Sequence, residues 1–415
     1  MISRSRAATS LFAAAVLTLM PRGSRADIPM QVKVYGFLNA EVERAWATGG
    51  ATPYTARFRV SDGNSRIGFS GTIDLGEETQ ALWQIEGGLN DFEQGGVNDK
   101  GVSSVLESRN TFVGIEDQRF GRLMVGYVDS AYRSLVGSGG ELGGNLGLTS
   151  LGLDLWNNTS AQVTGNPDSI FSRGETRMKN SVHYLSPDWI VRVGASYSFD
   201  EAMAGGQSHD RFSLAARLKW KEFQLGAGFD HQNNTGADSD ALEQGFGLST
   251  TAVPGAVTYY TKLVASYTAP TGTYFGAGWE RGSYGYSMFV PASSSNPYTS
   301  LVTGNMSQDG AIVSVAQPIG SAAVMVSFGK LWPLHNAIYF AGGQFEATQL
   351  SLGVKYAFND TFMSYLYYTA ISNKAEQNAN LGQSPIYSNN VGTSSAYLSP
   401  GDSPHATGLG LIARF

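Results

Sequence analysis

The chain has 415 residues, no cysteine, 51 glycines, 15% charged side chains and a formal net charge of −6. The lack of cysteine excludes disulfide scaffolds, thiol catalysis, zinc ribbons and iron–sulfur centres, and an acidic balance with no basic stripe excludes a phosphate-binding role on nucleic acid. With 20 Tyr, 21 Phe and 7 Trp the chain is not disordered, and after its first 26 residues it has no apolar run of about 18 residues, which a spanning helix needs.

Residues 1–26 read as a cleavable export signal. Arg4 and Arg6 give a positive start, Ala7–Met20 is apolar, and Ser24 and Ala26 are small residues placed for a signal peptidase. The expected mature domain is 27–415. From residue 31 onward the pattern has a period of two. Val32, Val34, Leu38 and Val42 interleave with Lys33, Tyr35, Asn39 and Glu43; Phe212, Leu214, Leu218 and Trp220 interleave with Arg211, Ser213, Arg217 and Lys219. Alternation of this kind gives strands with one apolar and one polar face. It predicts sixteen strands: 31–44, 64–74, 79–90, 108–116, 120–128, 176–185, 189–199, 210–220, 222–230, 256–268, 273–281, 309–317, 321–330, 344–357, 361–371 and 404–415.

The connections alternate in length. Leu75-Gly76-Glu77, Ser186-Pro187-Asp188, Lys221-Glu222 and Asn359-Asp360 are short, whereas Asp91–Leu106, Asp129–Thr176, His231–Gly255, Gly282–Ser307 and Asn373–Ser403 are long and rich in Gly, Ser and Asn. An up-and-down antiparallel barrel across an outer membrane has such unlike ends. Sixteen strands enclose an aqueous channel, whereas eight are filled by side chains. Alternation alone also fits a soluble sandwich. The export signal, the loop asymmetry and the aromatics near strand ends (Tyr197, Phe199, Trp220, Phe223, Tyr267, Trp279, Tyr356, Phe358, Phe362 and Phe415) favour the barrel.

Several segments resemble the general trimeric porins of Gram-negative bacteria, in their β-proteobacterial form. These are Val34-Tyr35-Gly36-Phe37-Leu38-Asn39-Ala40, Ser65-Arg66-Ile67-Gly68-Phe69-Ser70-Gly71-Thr72, Arg109-Asn110-Thr111-Phe112-Val113-Gly114-Ile115 and Arg177-Met178-Lys179-Asn180-Ser181-Val182-His183-Tyr184 followed by Ser186-Pro187. Phe120-Gly121-Arg122-Leu123-Met124-Val125-Gly126 also matches, although Tyr127 stands where the family often has Arg. The ending Leu411-Ile412-Ala413-Arg414-Phe415 resembles the family's assembly signal, with Phe415 as its terminal aromatic.

The resemblance implies an outer-membrane homotrimer that contacts lipid, lipopolysaccharide and the assembly machinery. It would pass ions and small hydrophilic solutes without a cofactor. It also implies that the connection Asp129–Thr176 folds into the barrel, and that Arg66, Arg109 and Arg177 form a basic waist. Glu141, in an acidic segment of that loop, would face the waist, with Asp154 in reserve. Arg211, Arg217, Lys219 and Glu86 are expected on the lumen wall. Enzyme motifs are absent: there is no Walker loop, HExxH, GxSxG or dinucleotide fingerprint. The five histidines are scattered, and Asp91, Glu93 and Asp99 read as a solvated loop rather than a calcium site. A substrate-selective channel, an outer-membrane barrel enzyme and a secreted β-sandwich remain the rival readings.

Overall fold

The computed structural model describes residues 31–50, 54–62, 65–89, 106–137, 171, 173–199, 208–234, 257–290, 300–337, 341–381, 386 and 398–415. The export signal, Glu141 and Asp154 lie outside the described residues. Among these, seventeen strand segments form a single antiparallel sheet. They are β1 (Gln31–Gly49), β2 (Arg57–Asp62), β3 (Arg66–Gly76), β4 (Thr79–Leu89), β5 (Leu106–Asp117), β6 (Gly121–Asp129), β7 (Arg177–Leu185), β8 (Val191–Ser198), β9 (Arg211–Trp220), β10 (Phe223–Asn233), β11 (Val257–Thr268), β12 (Tyr274–Val290), β13 (Ser300–Ile319), β14 (Ala322–Leu331), β15 (Ala347–Ala357), β16 (Phe362–Asn373) and β17 (Asp402–Arg414). One short helix, α1 (Ala131–Val136), follows β6.

From β3 onward each strand pairs with its neighbours in sequence, and β17 pairs with β1, closing the sheet. β2 and β3 are two halves of one stave. β2 lies along Ala40–Ala45 of β1, and β3 along Gln31–Phe37. At the break between them the Asn39 N–H donates to Ser65 Oγ at 2.9 Å. Seventeen segments therefore make sixteen staves, and each of the sixteen expected strands is present. Closure satisfies every backbone group that lipid cannot, which is what allows a sheet to cross a membrane.

β12 and β13 run beyond the expected 273–281 and 309–317. Past Tyr284, among the described residues, β12 pairs only with β13, out to Val290 opposite Ser300. This ribbon rises beyond the neighbouring strands, so Trp279 lies within β12 rather than at its end, and does not belong to a rim. The Gly- and Ser-rich composition of 282–307 hides the pairing, because the two-fold alternation of apolar and polar residues lapses there.

The inner face is identified by α1, which packs on it. Ala131 N–H donates to Ser196 Oγ of β8 and Tyr132 N–H to Ser213 Oγ of β9, both at 2.9 Å. Gly226 and Gly228 of β10 lie under Val136 and Tyr132, where an added Cβ would come within 2.8 Å and 2.5 Å of Val136 methyls. The outer face carries exposed Val193, Leu214, Leu225, Leu263, Val313, Val326, Leu352 and Leu411. Aromatic rings mark both rims. At the short-turn end Trp220, Phe223, Tyr267 and Phe275 stack in a row with centroids 4.6–6.5 Å apart. At the other end lie Tyr197 with Phe199, and Trp46 stacked on His405.

The seam where β17 meets β1 is bridged by side chains as well as by backbone. Tyr365 of β16 reaches over β17 to donate to Asn39 Oδ1 (2.7 Å) and Glu41 Oε2 (2.8 Å) of β1. Tyr367 does the same to Glu43 Oε2 (2.7 Å). The rings lie on Gly410 and Gly408, where a Cβ would stand 1.9 Å and 2.7 Å from ring atoms, so only glycine fits beneath them. Arg59 of β2 closes the far side with Nε 2.6 Å from Glu43 Oε1.

Candidate functional site

Arg66, Arg109 and Arg177 come from β3, β5 and β7, and the structure places all three in one strip of inner wall. Arg66 faces inward by simple alternation; its guanidinium lies 4.6 Å over the Phe37 ring and 4.0 Å from Glu86 Oε1. Arg109 faces inward because of a bulge. Ile85 and Gly87 of β4 pair with Thr111 and Ser108, so Arg109 and Asn110 together oppose Glu86. An extra residue of this kind re-aims side chains. Arg109 Nε reaches Glu86 Oε1 at 2.7 Å, while Asn110 Nδ2 reaches Asp129 Oδ2 at 2.8 Å. Tyr35 donates to the second Glu86 oxygen at 3.0 Å.

Arg177 stands opposite Asp129 in the β6–β7 register, with Nε 3.3 Å from Asp129 Oδ1. Arg133 of α1 approaches the same oxygen at 2.8 Å. Among the described residues, four guanidiniums thus share the strip with the carboxylates of Glu86 and Asp129. Within low-dielectric walls an excess of one sign attracts the opposite ion and concentrates it.

The chain leaves the wall at Asp129 and returns at Arg177. Both described limbs of this connection are seated on the inner wall. α1 forms the outgoing limb, and Ser130 caps it by accepting from Arg133 N–H. The return limb is held by buried charges. Arg211 forms a two-pronged pair with Asp230 (2.8 and 2.9 Å) and donates to Thr176 Oγ1 and the Gly174 carbonyl. Arg173 pairs with Glu280 (2.7 Å) and donates to Gln308 Oε1 (3.1 Å) and Tyr284 Oη (3.3 Å). Arg133 also donates to the Glu175 carbonyl, tying the two limbs together. His183 is buried beneath α1, bridging Ser181 and Ser196 at 2.7 Å each, so its ring helps seat the helix.

The remaining expected wall residues divide. Lys219 faces inward and is exposed. Arg211 and Arg217 face inward but are buried, and so do not meet open pore water as the alternation suggests. Arg217 is bound to Asp188 in the β7–β8 turn, and that guanidinium holds the Asp188 carboxyl below the usual range. Glu86 is on the wall, as the counter-ion of Arg66 and Arg109. Phe415 is exposed and ends the closing seam: Gly36 and Phe415 exchange backbone hydrogen bonds of 3.0 and 3.1 Å. The sequence reading singles out neither Arg133 and Asp129 nor Lys262 and Glu280. The available signal is ionisable residues on the polar register of membrane strands, and Lys262 and Glu280 stand directly opposite each other across β11 and β12.

A closed sixteen-stave barrel with a charged inner wall and an apolar outer belt defines a membrane channel. A family model described as Gram-negative porin matches residues 7–376, and the chain belongs to that family. It is an outer-membrane porin and not an enzyme. An outer membrane porin protein of Bordetella pertussis is 23% identical over 399 residues, covering 86% of this chain and 92% of that one. Major outer membrane protein P.IA of Neisseria meningitidis serogroup A is 30% identical over 199 residues, 42% of each chain. Among solved structures, the anion-selective porin from Comamonas acidovorans superposes with a TM-score of 0.64 at 16% identity, over 93% of this chain and all of the other. OmpT of Vibrio cholerae in its trimer form gives 0.59 at 15% identity, covering 93% of this chain and 99% of that one.

Proposed function

We propose that this porin passes small hydrophilic solutes with a preference for anions, selected at the strip formed by Arg66, Arg109, Arg133 and Arg177. The observation that carries the reading is the convergence of four guanidiniums, from β3, β5, α1 and β7, on one strip of the inner wall. Guanidinium stays charged at any working pH. The name of the Comamonas porin is consistent with this preference. Residues 138–170, with Glu141 and Asp154, are assigned to the lumen opposite the strip. Support comes from the seating of both flanking limbs on the inner wall. Residues 1–26 are assigned as the export leader. A homotrimer is the working assembly, as in the trimer form of the Vibrio OmpT.

A reversal-potential measurement in a planar bilayer under a salt gradient tests the selectivity. Wild type should read anion-selective. Arg66→Gln together with Arg177→Gln should shift the potential toward cations, and the shift should shrink as salt rises. An unchanged potential in the double variant would move the selecting site elsewhere.

A further inference from the structure

We infer that Lys262 is a positioning residue for the channel: one wall cation that pins both limbs of the inward connection and so sets the open cross-section. The inference rests on the porin reading above. Lys262 lies on the polar register of β11, opposite Glu280 of β12, and its side chain is fully buried. Its ammonium touches three separate parts of the molecule. From the wall, Glu280 Oε2 lies at 3.2 Å. From the return limb it meets the Glu175 carboxylate, the Phe171 carbonyl at 2.6 Å and the Phe171 ring at 4.1 Å. From the outgoing limb, the Tyr132 ring lies at 5.5 Å.

A buried ammonium is costly unless its donors and charge are matched. Here the matching groups come largely from the connection, so the limbs and the lysine hold each other in place. Arg173 adds a second grip on Glu280 from the same limb. Removing the lysine takes one positive charge out of the seat. Glu175 on the limb and Glu280 on the wall then lose the cation they share, and the hold of the limb on the wall weakens.

The test is single-channel recording of Lys262→Met beside wild type, with gel mobility before and after heating as the check on barrel assembly. Lys262→Met should raise the mean open-state current by roughly half and add sublevels, because the two limbs no longer hold one position on the inner wall. Glu175→Gln alters only the limb and leaves the barrel wall intact; it should change the current in the same direction by less. If Lys262→Met does not assemble, Glu175→Gln carries the test. Wild-type current and noise in whichever variant assembles overturn the assignment while leaving the porin reading standing. A wild-type protein that conducts nothing overturns both.

Discussion

A carboxylate inside a barrel needs donors, and Glu41 and Glu43 obtain theirs from tyrosine hydroxyls on β16, across an intervening strand. Each bond to a charged acceptor is worth about 1.5–3 kcal/mol. Tyr365→Phe should therefore lower the temperature at which the folded barrel converts to the slower-migrating heated form in gels. Gly410→Val should lower it further, since a side chain beneath the Tyr365 ring overpacks the seam by about 1–3 kcal/mol. Equal transition temperatures for both variants and wild type would show that the bridge contributes nothing. At this scale the inward direction of Arg66 follows from alternation and can be read in the sequence. Its counter-ion cannot, because Glu86 meets Arg66 and Arg109 only after three strands are set side by side, and Arg109 only through a bulge that no alternation announces. Lys262 and Glu280 lie between these cases: the short turn at 269–273 fixes their register, so counting outward from it brings them together.

At the scale of the element, β9 shows how far two-fold alternation goes. Leu214 is half exposed on the outer face, while Ser213 and Arg217 on the inner face are buried. Leu214→Arg should cost about 2–4 kcal/mol if it lies at mid-bilayer, measured as a lower denaturant midpoint in lipid vesicles. The chain has no cysteine, so labelling reads the faces directly. Lys219→Cys should react with a water-soluble thiol reagent and Leu214→Cys should not; the reverse would put the opposite face toward lipid. Position 217 is the wrong probe despite its parity, since the Asp188 turn covers it. Alternation tells inward from outward but not open from covered. What covers a wall residue comes from turns and from α1, whose six residues carry too little periodicity to be read as a helix in the sequence.

For the whole molecule, the overall negative charge of the chain says little about what passes through it, because Arg66, Arg109, Arg133 and Arg177 lie on the inner wall while Asp91, Glu93, Asp99, Asp238, Asp240 and Glu243 belong to long connections. Closure depends on the last residues. Deleting Phe415 removes the final rung to Gly36 and the outward aromatic beside it, and should sharply reduce the protein recovered in outer membranes; unchanged recovery would locate the assembly signal upstream. The tyrosine–glycine bridge bears on closure in another way. Sliding β17 by one residue against β16 would turn its faces inside out, but sliding by two keeps every face correct and is not resisted by polarity. The bridge resists it. Tyr365 and Tyr367 lie two residues apart, as do Gly410 and Gly408. A slip one way puts Ile412 under Tyr365, and the other way puts Ala406 under Tyr367. In a closed barrel the stagger at the seam fixes strand tilt and diameter together. Two glycines on the closing strand thereby act as a gauge: they select one shear among those that polarity allows, and with it the width of the pore.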